Sequence, residues 1–95
     1  MDVPAFILDE CMTAIRSEIF RAARLHGEQA MISPSLPDDN RLPILVEEVG
    51  EVARGMTYDN NQGVEHLIEE LEQTAAMATS WAAALRTRIY REATS

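Results

Sequence analysis

Residues 64–89 read VEHLIEELEQTAAMATSWAAALRTRI. Within them Leu67, Ile68, Leu71, Ala75, Ala78, Ala82, Leu85 and Ile89 recur at spacings of three and four, the period of one face of an α-helix. No glycine or proline interrupts the run. The pattern predicts a helix from near Val64 almost to the end of the chain, with Thr79-Ser80 as the point where it would bend or divide. Working back, YDNNQG at 58–63 is a polar turn, with Asn61 as a candidate cap for this helix. Before it, Leu42, Leu45, Val49, Val52, Ala53 and Met56 form a second apolar stripe, expected to be buried, on a helix capped by Asp39 or Asn40 and ending near Thr57. The segment EQAMISPSLPDDN at 28–40 carries two prolines and an Asp-Asp-Asn cluster and is expected to be a loop. A first amphipathic helix should run from Pro4, a residue suited to an early helical position, to about Leu25, with Gly27 as its stop. Phe6, Ile7, Cys11, Ala14, Ile15, Ile19, Ala22 and Ala23 are its apolar positions. The fold expected is all-α: an antiparallel bundle of three long helices in one domain spanning residues 1–95.

Ninety-five residues allow only a thin core, because a chain this short buries about two-thirds of its unfolded surface. Much of the 46% hydrophobic content is alanine and only 5% of residues are aromatic, so association with further copies is expected to complete the bundle. The net charge of −8, with eight arginines and no lysine, argues against binding to a nucleic-acid backbone. The single cysteine, Cys11, allows no internal disulfide and suits a reducing, cytoplasmic setting. The opening MDVPAFILDE lacks the basic start of a signal peptide, and no apolar run is long enough to span a membrane.

The acids pose the chemical question. Between Leu42 and Gln73 the only formal cation is Arg54, against Glu47, Glu48, Glu51, Asp59, Glu65, Glu69, Glu70 and Glu72. Like charges at helical neighbour spacing repel by a few tenths of a kcal/mol per pair. Solvated surface is the ordinary explanation for one such pair; repetition on two helices calls for a cation. Glu48 and Glu51 share a helix face, and if the next helix returns antiparallel, Glu70 converges on them with Gln73 at the edge. Carboxylates so gathered suit a hard divalent ion such as magnesium, which takes oxygen ligands and keeps several waters.

The segments LVEEVGEVARGM (45–56) and LIEELEQTAAMATSWAAAL (67–85) resemble the MazG-like all-α nucleoside triphosphate pyrophosphohydrolases, most of all their small phage and actinobacterial members. That family pairs an ExxE on one helix with an ExxD on the next. Glu48 and Glu51 match the first pair, Glu70 matches the first acid of the second, and the spacer of eighteen residues fits. The resemblance is strongest over 42–85 and extends more weakly to IRSEIFRAARLHGEQ upstream. It implies Mg²⁺- or Mn²⁺-dependent hydrolysis of a nucleoside triphosphate to the monophosphate and pyrophosphate, by a dimer or tetramer. Glu48, Glu51, Glu70 and Gln73 would be the metal set, and Glu47 or Glu51 would accept the proton of the attacking water. Arg16, Arg21, Arg24 and Arg54 are candidate phosphate contacts. The departure is Gln73, which stands where the family has its last acid and offers a carbonyl without charge. Glu69 or Glu72 would have to compensate, though each points differently.

Four other residues read blandly. His26 suits a helix end, and His66 has no second ligand at zinc spacing. Trp81 and Cys11 read as core or interface.

Overall fold

The computed structural model describes residues 2–57 and 63–95, and among these every regular element is helical. Helix α1 spans Ala5–His26, a single 3₁₀ turn covers Gly27–Gln29, α2 spans Asp38–Thr57 and α3 spans Gly63–Thr94. The expected turn at 58–62 and the Asn61 cap lie outside the described residues.

Pro4 sits just before the first helical residue rather than inside the helix, and its carbonyl accepts from the N–H groups of Ile7 and Leu8 at 3.1 and 3.5 Å. At the other end Gly27 takes φ 55°, a left-handed value that a side chain would strain, and stops α1 as expected. Helix α2 begins at Asp38, two to three residues earlier than an Asp39 or Asn40 cap would place its first residue, so both become first-turn residues. Acids there complement the partial positive charge of a helix N-terminus. Pro43 lies inside this helix and forfeits one ladder hydrogen bond. Helix α3 runs for 32 residues without a break at Thr79-Ser80. Ser80 is buried on its packed face, while Thr74 and Thr87 tie their hydroxyls to the carbonyls of Glu70 and Ala83, four residues back, as helical threonines do.

α3 is the central element. Both α1 and α2 pack against it, and among the described residues α1 and α2 do not pack on each other. The molecule measures 50 × 31 × 23 Å with a radius of gyration of 15.1 Å, against about 12 Å for a compact chain of this length. No helix is long and apolar enough to cross a membrane among the described residues.

The core differs from the expected stripes. Its best-buried apolar residues are Ala22, Ala76 and Ala84 on the helices and Ala30, Met31 and Leu36 in the segment between α1 and α2. Leu42, Val49 and Met56, read as buried positions, are more than half exposed, and so is Ile89 on α3. A helix with neighbours on one side only cannot cover a wide apolar stripe, so helices hung on a central α3 keep their far faces bare.

Arg41 organises the linking segment. Its side chain is fully buried, yet its guanidinium donates to the carbonyl oxygens of Leu36 (3.2 Å from Nε, 2.8 Å from Nη2) and Ser33. Asp38 lies 3.7 Å from Arg41 Nε and accepts from Trp81 Nε1 at 3.0 Å and Arg88 Nη1 at 3.3 Å. Those two bonds fasten the start of α2 to the C-terminal half of α3. The Arg88 bond first, then that of Trp81, holds the Asp38 carboxyl below the usual aspartate range. Trp81 is therefore a half-buried clamp residue.

Candidate metal centre

The helical period carries Glu48 and Glu51 one turn apart on a single face of α2. α3, packed against α2, brings Glu70 to the same place. One carboxylate oxygen from each of the three lies within 4.8 Å of the others. Glu48 and Glu70 are half-buried and Glu51 is exposed, so the cluster sits at the mouth of the α2–α3 contact.

Two oxygens of this cluster, Glu48 Oε2 and Glu70 Oε2, are buried and accept no hydrogen bond among the described residues. Buried acceptors are normally satisfied, and leaving one bare costs about 1–3 kcal/mol. The nearest cationic group is His66, one turn before Glu70, whose Nε2 lies 3.3 Å from Glu70 Oε1 and forms an ion pair once protonated. Burial raises the Glu48 carboxyl above its ordinary value. The charges of Glu51, Glu70, Glu47 and Glu18 push it further in the same direction.

Glu18 was not singled out in the sequence. It lies on α1, far along the chain, yet its charge reaches Glu48 across the α1–α3 packing. Its own carboxyl is lowered, mainly by a two-pronged hydrogen bond from Arg21 at 2.9 and 2.6 Å. The i, i+3 spacing of ExxR signals the Glu18–Arg21 pair but not the approach to Glu48.

Glu47 is exposed, and Gln73 is half-buried one turn beyond Glu70. Arg21 is committed to Glu18 rather than free for phosphate. Arg16 lines an open groove along α1 with Met12, Thr13 and Phe20. Arg24 and Arg54 are exposed in the last turns of α1 and α2, where a cation complements the helix dipole. Cys11 is a half-buried free thiol.

Compared with protein-family models, curated proteins and solved structures, the chain matches none.

Proposed function

We propose that this chain is a divalent-metal-dependent nucleoside triphosphate pyrophosphohydrolase of the MazG-like kind, acting in the cytoplasm as a dimer or tetramer. The observation that carries the reading is the convergence of Glu48, Glu51 and Glu70, with two of their oxygens buried and unpartnered. The donor set is all carboxylate oxygen, which fits Mg²⁺ or Mn²⁺ and excludes the nitrogen- and sulfur-rich chemistry of a structural zinc site. Glu48, Glu51 and Glu70 would hold the ion, with the Gln73 carbonyl beside them. When bound it supplies positive charge against the triphosphate and acidifies water.

The chain's own groups do the rest. Glu51 or exposed Glu47 takes the proton of the attacking water. The oxygen of that water joins the α-phosphorus while the bond to the bridging oxygen breaks. The electron pair leaves with pyrophosphate. Of the four candidate arginines, Arg16, Arg24 and Arg54 are exposed and outside the Glu18 pair, and so available to the phosphates.

A second reading rests on Gln73: a relative that binds nucleotide or a protein partner through the same scaffold without turnover. One paired experiment separates them. Pyrophosphate release is assayed on a panel of nucleoside triphosphates, and Mg²⁺ affinity by calorimetry, for the original chain and for Glu70→Ala. Release that needs Mg²⁺ and vanishes in Glu70→Ala supports the enzyme. Tight Mg²⁺ binding without release on any nucleotide supports the binding relative. No Mg²⁺-dependent signal in either assay removes the metal reading and leaves a purely structural helical protein.

A further inference from the structure

Of the three gathered acids, only Glu70 has a basic neighbour. Among the described residues the ion-pair contacts join Arg21 to Glu18, Arg41 and Arg88 to Asp38, and His66 to Glu70. The arginines of these contacts thus serve carboxylates outside the cluster, and none of the contacts reaches Glu48 or Glu51. His66 stands one turn before Glu70 on α3, and a helical side chain leans toward the N-terminus of its helix, so Glu70 leans back onto the imidazole. Nε2 of His66 comes within 3.3 Å of Glu70 Oε1. The other oxygen, Oε2, is buried and unpartnered among the described residues.

We propose that His66 is the positioning residue of this site: its ring N–H holds Glu70 Oε1 and thereby presents Oε2 to the divalent ion. This role rests on the metal reading above and adds to it a residue outside the ligand set. A glutamate carboxylate turns easily about its last torsion, whose preference is broad and roughly two-fold. Left unheld, Glu70 has no fixed plane in which to meet an ion. A donor on Oε1 sets that plane and decides which oxygen faces inward. Carboxylates that ligate metals are themselves hydrogen-bonded, and losing such an outer partner costs about 10–100-fold in metal affinity.

The geometry makes His66 an outer partner rather than a fourth ligand. The donor atoms that lie within 4.8 Å of one another come from Glu48, Glu51 and Glu70, and His66 stands outside that group. Its side chain is 41% exposed against 18% for Glu70, which puts the imidazole on the solvent side of the carboxylate and the cluster on the inner side. Glu48 and Glu51 share one face of α2, so the helix itself fixes their relation; Glu70 comes alone from α3 and needs a second point of attachment. Thr74 does not provide one, because its hydroxyl donates to the Glu70 backbone carbonyl and leaves the carboxylate free to turn.

The test uses the full chain at one fixed pH, with Mg²⁺ affinity read by calorimetry and Mn²⁺ affinity by the paramagnetic resonance of the free ion. His66→Ala should weaken both ions about ten-fold and by the same factor, since an outer partner acts on every ion through Glu70. Helical circular dichroism should not change. His66→Gln, whose uncharged amide also donates across one helical turn, should recover most of the loss. The effect of His66→Ala should disappear when Glu70 is already alanine. Affinity unchanged in His66→Ala, an equal loss in His66→Gln, a loss that persists beside Glu70→Ala, or a loss confined to Mn²⁺, the mark of a nitrogen ligand, would each overturn the proposal. Glu48→Gln tells which reading has failed. If it weakens both ions while His66→Ala does not, only the role of His66 falls; if it binds them as tightly as the original chain, the carboxylates hold no ion and both readings fall.

Discussion

Replacing Glu48 by glutamine should stabilise the protein when no metal is present. The variant keeps the shape and removes one of three charges whose oxygens lie within 4.8 Å. At that separation two unit charges repel by about 0.9 kcal/mol in a water-like dielectric and about 3.5 kcal/mol at an effective value near 20. Because the cluster opens to solvent, the lower figure governs, and two partners give about 2 kcal/mol. Proton uptake sets a ceiling: holding a glutamate neutral at pH 7 costs at most about 3.7 kcal/mol. The glutamine amide can also donate to Glu51 or Glu70. The expected gain is therefore about 1–2 kcal/mol at pH 7, or roughly 5–15 °C in thermal midpoint.

The pH dependence carries the same signature. A carboxyl whose pKa is raised by folding, as that of Glu48 is, contributes its full share below the unfolded value and loses it as pH rises through the folded one. The original chain should therefore lose stability as pH rises above the ordinary glutamate range, and Glu48→Gln should not. Urea denaturation across that range, with chelator and at fixed protein concentration, measures both. Adding millimolar Mg²⁺ should then reverse the order, stabilising the original chain more than the variant. A variant no more stable at pH 7 without metal, with a pH slope matching the original, would refute the reasoning.

Arg41→Ala should cost about 3 kcal/mol in urea denaturation, because it strips the carbonyls of Ser33 and Leu36 of a buried charged donor; a loss below about 1 kcal/mol would contradict the role given to it. Asp38 and Glu18, whose carboxyls are held low by Arg88 and Arg21, work in the opposite sense to Glu48, adding stability above their ordinary values that disappears as pH falls through the lowered ones. Asp38→Asn should accordingly flatten the acid limb of thermal midpoints measured from pH 3 to 7. Gln73→Asp should lower the metal-free midpoint by adding charge near Glu70, and tighten Mg²⁺ in calorimetry.

The three helices were legible because each carries a long apolar period with a clear stop, such as Gly27. Glu48, Glu51 and Glu70 were legible because helical spacing fixes two of them and the second helix supplies the third. What escaped was the direction each helix would face. Leu42 and Val49 have the period of a buried stripe, and nothing local says that no neighbour arrives to cover them. The segment from Ala30 to Leu36 looks like a polar linker because two serines and a proline break its apolar run and Pro37, Asp38, Asp39 and Asn40 follow it. Ala30, Met31 and Leu36 are nonetheless buried, around an arginine that a composition argument would put in water. Glu18 was invisible for a related reason: its approach to Glu48 is set by how α1 lies on α3, which no local pattern encodes.

The absence of α1–α2 packing has a kinetic consequence. With both leaves hung on one pin, the α1–α3 contact can open while the α2–α3 contact persists, so α1 should exchange its amides as a unit of its own. Glu18 rides on that leaf. Docked, it adds negative field at Glu48; swung out, it removes it. Ionised Glu48 should therefore slightly weaken the docking of α1, Glu18 being the last of the charges that act on it. Amide exchange in α1, corrected for its intrinsic pH dependence, should show more frequent opening as pH rises from 5 to 8, with α2 and α3 unmoved. Equal protection of all three helices at every pH would show that the leaves move as one.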